Sequence, residues 1–374
     1  MHRRGEEDTP FACLSYDLLT GGLHIMSFEG FPMLVGWELT LACNLRCAHC
    51  ASSAGLPRRD ELSTKEALDL CEQFPDLLVQ EVDFTGGEPL LRPDWMQIAA
   101  KLAKLEIPTR MVTNGLLLKE NAARLLDAGV KTVAVSLDGI GDTHDRIRCR
   151  NGLFKEVMAG IGAGLSASLP IAVITAVNDI NIDELPQLGV FLKDIGVVYW
   201  QVQPTFARGR AAATDGLRLS QTTFLELGKL VRQNVAVWGS NGKDIVPTDG
   251  VGYFTKLDAR KKEWKGCGAG LASCGITSDG KIKGCLSFPD SFVEGDLRER
   301  TMWDVWFDEH SFSFNRYFKI ENLGKNCAGC KFGEQCKGGC CIMSYASTTE
   351  MHNDPYCFHG ILARGEHGAG SRCP

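Results

Sequence analysis

Six short apolar runs, each followed by an amphipathic stretch, constrain this chain more than any other feature. They are "LVGWELTL" (34–41), "EVDFTG" (81–86), "PTRMVTNG" (108–115), "KTVAVSLDG" (131–139), "IAVITAV" (171–177) and "VYWQVQP" (198–204). Runs this short and apolar, alternating with helical segments, read as buried strands of a parallel sheet, because each crossover lays a helix over one face. The helical segments carry their own end signals. Ser63 with Glu66 forms a capping box, Asp94 after Pro93 opens a second helix, "KENAARLLDAG" closes on Gly129, and 182–195 keeps helical periodicity. Six β-then-α units in series predict a right-handed parallel sheet, doubly wound or part of a barrel. Ahead of them, 11–32 reads as a strand pair turning at Gly21-Gly22, then a loop to Pro32.

After Pro204 the pattern changes. "FARGRAAATDG" reads as a loop of small and charged residues, 220–238 as a long helix, and the chain from about Cys267 is dense in Gly and Cys. We expect a hairpin extension over 1–32, a (β/α)6 core over 33–210, a linker with a helix over 211–260, a cysteine-rich domain over 261–360 and a flexible tail over 361–374. A chain of 374 residues with 44% hydrophobic content buries one large core plus a smaller module and is too long for a disulfide-stapled scaffold. A net charge of −6 argues against a general nucleic-acid surface. The basic runs "RIRCR" (146–150) and "ARKKEWK" (259–265) read as solvated faces or local anion contacts. No apolar run reaches the ~18 residues of a membrane span. The start "MHRRGEEDTP" has no apolar stretch behind it, so we expect a cytoplasmic protein whose cysteines stay as thiols or metal ligands.

Cysteine is the second constraint, with 16 in the chain. Cys43, Cys47 and Cys50, spaced C-x3-C-x2-C, follow the first predicted strand, and parallel β/α sheets place active sites at such strand ends. Three thiolates leave one iron of a 4Fe–4S cube open to an outside ligand. A structural zinc site needs four ligands, and His49 lies in the same loop.

With "GGEPLL" after the second strand, the chain resembles the radical S-adenosylmethionine (radical SAM) superfamily. The resemblance implies that Cys43, Cys47 and Cys50 bind a 4Fe–4S cluster whose open iron is chelated by the amine and carboxylate of SAM. It also implies that Gly86, Gly87, Glu88 and Pro89 form the loop receiving the methionine amine. Glycines let backbone carbonyls approach an ammonium, and Glu88 adds negative charge. Asn114 with Gly115, and Ser136 with Asp138, end the next two strands; the resemblance assigns such residues to the SAM ribose and methionine, against a plain reading as turns. In "HDRIR", Arg148 or Arg146 is expected to pair with the SAM carboxylate, and Asn178 after the fifth strand is a further candidate. Cys13, Cys71 and Cys149 read as incidental thiols.

Toward the C-terminus, Cys267 is followed by twelve residues, Gly280, four residues and Cys285. Then come Cys327, Cys330, Cys336 and Cys340 as C-x2-C-x5-C-x3-C, and Cys357 after a gap. This order, with the connecting "EGDLRERTMWDVW", resembles the SPASM domain, an extension of peptide-modifying radical SAM enzymes that holds two auxiliary 4Fe–4S clusters. The resemblance assigns Cys267, Cys285 and Cys340 to one cluster and Cys327, Cys330, Cys336 and Cys357 to the other. The first set is one thiolate short. Cys274 is the expected fourth ligand, an open iron is the competing reading, and Cys341 reads as spare beside Cys340. Two zinc ribbons are the alternative for the region. The fold expected is therefore α/β: a partial (β/α)6 TIM-like radical SAM barrel with a C-terminal SPASM domain of mostly irregular structure.

The implied cofactors are SAM and three 4Fe–4S clusters. An electron from a donor such as flavodoxin or ferredoxin would cleave SAM to methionine and a 5′-deoxyadenosyl radical, which takes hydrogen from an unactivated C–H bond. The expected substrate is a ribosomally made precursor peptide, giving a thioether or C–C crosslink or a backbone rearrangement or excision. A partly open barrel leaves a lateral gap for an extended chain. About thirty residues precede the first barrel strand, so a separate leader-peptide recognition protein is expected. The alternatives are formylglycine formation, modification of a small molecule or tetrapyrrole, and a non-enzymatic electron carrier, in which the GGEP loop would have no role.

Overall fold

The computed structural model describes residues 30–366 except 215, 239–243, 249, 252 and 254–263, together with the backbone of β1 (Cys13–Asp17) and β2 (Gly22–Met26). Gly21, most of the basic run 259–265, Cys373 and the tail beyond 366 lie outside the described residues. β1 and β2 pair antiparallel, with Cys13 opposite Met26.

All six expected runs form strands: β3 (Leu34–Thr40), β4 (Glu81–Gly86), β5 (Thr109–Thr113), β6 (Thr132–Ser136), β7 (Ile171–Val177) and β8 (Tyr199–Pro204). They lie side by side in chain order and parallel. Every residue of β7 is buried, as a strand covered on both faces must be. Alternate side chains divide between the faces. Val35, Trp37, Val82, Phe84, Met111 and Val133 join the helix-packed core, whereas Ala134, Ala172, Ile174 and Tyr199 cluster with Val112 and Val246 on the opposite face. Arg110 fills the lower part of that second face, its Nε 2.7 Å from Asp83 Oδ1 and its Nη1 3.0 Å from Tyr199 Oη.

The crossovers are α1 (Thr64–Cys71), α2 (Trp95–Lys104), α3 (Leu118–Asp127), α4 (Asp142–Arg148), α5 (Leu153–Ser166) and α6 (Leu185–Asp194). At the start of α1, Ser63 N donates to Glu66 Oε2 at 2.8 Å and Glu66 N to Ser63 Oγ at 3.3 Å, the capping box read from sequence. Asp94 precedes α2 but makes no cap. Its carboxylate takes two bonds from Arg92, whose guanidinium also reaches Leu39 O and Leu62 O.

Three segments differ from expectation. The region read as a linker holds α7 (Gln221–Trp238) and then β9 (Asp244–Pro247), which pairs parallel with β8. It is a further helix–strand unit. Four residues ending in proline carry no readable alternation, and an edge position tolerates the proline. The cysteine-rich region, in turn, adds strands to the barrel sheet. β10 (Ser273–Ile276) runs parallel to β3 with Cys274 opposite Val35, and β11 (Lys281–Lys283) and β12 (Val293–Asp296) follow antiparallel. One ten-stranded sheet results, ordered β12-β11-β10-β3-β4-β5-β6-β7-β8-β9. The remainder of the region consists of short helices, among them α8 (Met302–Trp306), α9 (Ser313–Arg316), α10 (Gly333–Cys336) and α11 (Cys341–Thr348). The segment read as tail begins inside α12 (Phe358–Glu366), where Phe358 packs on Phe224 of α7 with ring centroids 4.7 Å apart.

A buried carboxylate holds the two parts together. Glu38 on β3 accepts from Arg58 Nε at 2.6 Å and from the backbone N and Oγ of Ser278, after β10, at 3.1 and 3.0 Å. Removing it strands all these donors. We expect Glu38→Ala to lose roughly 3 kcal/mol, read as a lowered thermal unfolding midpoint, and Glu38→Gln to lose less.

Candidate functional site

The catalytic candidates sit on the loop leaving β3. Cys43 N donates to Gly55 O at 3.1 Å and Gly55 N to Leu41 O at 3.0 Å, which closes the base of the loop. Each sulfur has a donor beside it. Leu45 N lies 3.4 Å from Cys43 Sγ, Ala54 N 3.4 Å from Cys50 Sγ, and Arg148 Nη1 3.9 Å from Cys47 Sγ. Such surroundings suit thiolates and an anionic cluster. Burial pushes the Cys47 thiol up to about 11 and raises Cys43, so metal binding there displaces protons.

The glycine loop after β4 is built against this loop. Gly86 has φ +141°, and a Cβ there would lie 2.2 Å from Thr40 O; at Gly87 it would lie 2.1 Å from Ala42 O. Gly87 N and Glu88 N donate to Thr40 O and Ala42 O, both at 2.8 Å. Pro89 then opens a short 3-10 turn. Glu88 departs from expectation. It is fully buried, and its oxygens accept from Thr113 Oγ1 (2.8 Å), Asn114 N (2.8 Å) and Leu90 N (3.2 Å). It ties the end of β4 to the end of β5. Burial pushes its pKa up to about 7.

Asn114 reaches the same loop, with Nδ2 2.7 Å from Asn44 Oδ1 and 3.9 Å from Cys43 Sγ. Ser136, half-buried at the end of β6, has a hydroxyl with no hydrogen bond among the described residues and remains open to a ligand. Asp138 does not. Its Oδ2 accepts from Arg148 Nε at 2.8 Å and lies 3.4 Å from His49 Nε2, while Oδ1 accepts from Ala176 N at 2.9 Å. Burial opposes its ionisation, yet Arg148 and His49 beside it hold the carboxyl below its ordinary pKa. Asp138 therefore aims Arg148 at Cys47. Arg146 is exposed. Asn178 is likewise used locally: Nδ2 donates to Ala176 O and Oδ1 accepts from Ile180 N, closing the turn after β7.

Sequence reading passed over one part of the site. In the loop after β8, Arg210 Nε donates to Cys47 O at 2.7 Å and Arg210 N to Cys50 O at 3.0 Å. Gly209 between Arg208 and Arg210 has φ +54°, and a Cβ there would lie 2.4 Å from the carbonyls of Cys50 and Ala51. "RGR" in the loop after a strand end was the available signal.

In the C-terminal part, Cys267 lies beside both Cys340 and Cys341, and Cys285 is near Cys267 and Cys341. Cys274, the expected fourth ligand, is elsewhere. Its place on β10 buries it in the helix-packed core, with no cysteine among its electrostatic neighbours. Cys341, read as spare, takes the position beside the set. Cys327, Cys330, Cys336 and Cys357 form a second group, each near others of the four. Among the described residues no three His, Cys, Asp or Glu side chains are grouped to hold a single metal ion. A cube of four irons spreads its ligand sulfurs more widely than one ion does.

Residues 37–192 match the profile of the Radical SAM superfamily, and 267–331 match SPASM, an iron-sulfur cluster-binding domain. The chain is 30% identical to the AdoMet-dependent heme synthase of Methanosarcina barkeri, across 90% of this chain and 99% of that one. The chain belongs to the radical SAM superfamily. It is also 27% identical to mycofactocin maturase MftC of Mycobacterium tuberculosis, over 90% of this chain and 86% of the relative. The fold is that of Streptococcus suis SuiB, solved bound to its precursor peptide SuiA, with a TM-score of 0.70 at 17% identity over 88% of this chain and 76% of SuiB. This radical SAM protein is thus an enzyme that uses SAM and iron–sulfur clusters. No helix among its described residues is long and apolar enough to cross a membrane.

The clamp between the glycine loop and the cysteine loop yields a direct test. Gly87→Ala places a methyl group against Ala42 O. We expect at least about a 100-fold loss of 5′-deoxyadenosine formation, followed by chromatography, with iron in the C-terminal cysteines retained.

Proposed function

We propose that this enzyme is a peptide maturase, acting in the cytoplasm on a ribosomally made precursor peptide to give a crosslink or a backbone rearrangement. The observation that carries the reading is the cysteine loop clamped to the glycine loop at the C-terminal ends of a sheet that does not close. The sheet runs linearly from β12 to β9, leaving a side entry for an extended chain. The maturase relative and the fold shared with a precursor-peptide complex support it.

Cys43, Cys47 and Cys50 would hold the catalytic cluster, and the donors around their sulfurs fit it. SAM bound there would supply, on one-electron reduction, the radical for hydrogen abstraction. The protein's own work is positioning. Glu88 locks the glycine loop, Asp138 fixes the Arg148 guanidinium on Cys47, and Arg210 pins the loop's carbonyls. Cys267, Cys285, Cys340 and Cys341 would hold one auxiliary cluster and Cys327, Cys330, Cys336 and Cys357 another, three in all. A flavodoxin- or ferredoxin-like donor and a separate leader-binding protein complete the proposal.

One observation favours a second reading. The chain spans 99% of a heme synthase at 30% identity, which supports action on a tetrapyrrole. Incubating the reduced enzyme with SAM should give 5′-deoxyadenosine, and Cys47→Ala should abolish it while sparing auxiliary iron. No 5′-deoxyadenosine with any substrate would overturn radical chemistry. Mass analysis then separates the two readings: a precursor peptide lighter by two hydrogens supports the first, and a changed tetrapyrrole beside unchanged peptide supports the second.

The auxiliary assignment is tested separately. Cys341→Ala should lower iron per chain and alter the auxiliary electron paramagnetic resonance signal, whereas Cys274→Ala should leave both unchanged. The reverse pattern would return the role to Cys274.

A further inference from the structure

The loop after β8 joins two parts of the molecule. At one end Gly209 and Arg210 press on Cys50 and Cys47. At the other, Phe206 packs against Ala269, Phe288, Cys341 and Ile342, in the apolar cluster that Cys267 and Cys285 border. Arg208 lies between. Its Nε is buried without a partner, and no hydrogen bond or ion pair of its guanidinium forms with a described residue. On the same loop Thr205 Oγ1 is also buried and unpartnered. The groups facing Arg208 are Cys285, Tyr345 and Asp290, and Asp290 is engaged by Lys283 at 3.3 Å and by Arg58 at 3.5 Å. Neighbouring arginines are committed: Arg148 to Asp138, Arg210 to Cys47 O, and Arg46 to Ala54 O.

A guanidinium Nε withdrawn from water and left unbonded is costly unless an anion completes it. Its planar fork matches a carboxylate with two parallel bonds. We infer that Arg208 is the docking point for a substrate carboxylate, held between the catalytic cysteines and the first auxiliary set. A peptide C-terminus, an acidic side chain and a tetrapyrrole propionate share this chemistry. The inference rests on the reading of the cysteine loop after β3 as the active site, but it does not require the substrate to be a peptide.

The test is binding to the cluster-loaded, SAM-bound enzyme, measured by calorimetry. The probes are N-acetyl-dialanine and its C-terminal amide, and protoporphyrin IX and its dimethyl ester. At least one free acid should bind more tightly than its neutral partner. Arg208→Gln should weaken that acid about tenfold or more, and Arg208→Lys should recover part of the loss. Iron content and visible absorption should stay unchanged in both variants. Preference for the dipeptide acid points to a peptide terminus, and preference for the porphyrin acid points to a propionate; both support the anchor. Equal binding of acid and neutral partner, no binding of either acid, or an unchanged affinity in Arg208→Gln would overturn it. So would an auxiliary resonance signal shifted by Arg208→Gln with carboxylate binding intact, because the guanidinium would then serve Cys285. Loss of the peptide reading alone would leave the porphyrin arm and its dependence on Arg208 standing.

Discussion

The parallel pairing of β3 on both of its edges is the constraint on which the rest of the molecule depends. One edge bonds to β4, in a register that sets Thr40 beside Gly86, so the cysteine loop and the glycine loop leave the sheet at the same height. The other edge bonds to β10, which brings the cysteine-rich region onto the barrel. Parallel strands end on a common side, and Asn114, Ser136 and Asp138 reach the same place from β5 and β6. The two glycines follow from this closeness: at 2.1 and 2.2 Å from the carbonyls of Ala42 and Thr40, no Cβ fits.

What surrounds the cysteines is polar, buried and largely satisfied. Glu88, Asp138 and Arg148 lie out of solvent, and each is bonded to another part of the site. A buried charge stripped of its partner costs more than the pair contributes, so such networks enforce one geometry. Side chains with the composition of ligand contacts are here mostly the frame. Positions fixed before any ligand arrives are what a site with developing charge or radical character requires.

The C-terminal region is held differently. Its helices are short, and its packing relies on aromatic groups such as Phe288, Phe292 and Phe314, and Tyr253 with Trp264. Tyr253 Oη accepts from Cys340 N at 2.9 Å and Trp264 Nε1 donates to Cys336 O at 3.3 Å, so one aromatic pair touches both cysteine groups. Cysteines that lie far apart in the chain meet there, and metal binding to them is also folding energy.

The six barrel strands were legible from sequence, because strands buried on both faces are continuous apolar runs between helical periods. The C-x3-C-x2-C and GGEP motifs were legible because their spacing is local and their glycines have a steric cause. β9 and β10 were not, since four residues carrying a proline or a glycine leave no period to detect. That Cys274 packs into the helix-covered core while Cys341 lies beside Cys267 was equally hidden. Which way a strand cysteine faces is set by its pairing with β3, a partner more than two hundred residues away. By itself the sequence determined the six strand–helix units, the motifs and the type of chemistry at the strand ends. Only the tertiary structure decided which polar groups are taken by one another, as Glu88, Asp138 and Asn178 are, and which, like Arg208, remain unpaired, because partners chosen across the sheet have no fixed separation along the chain.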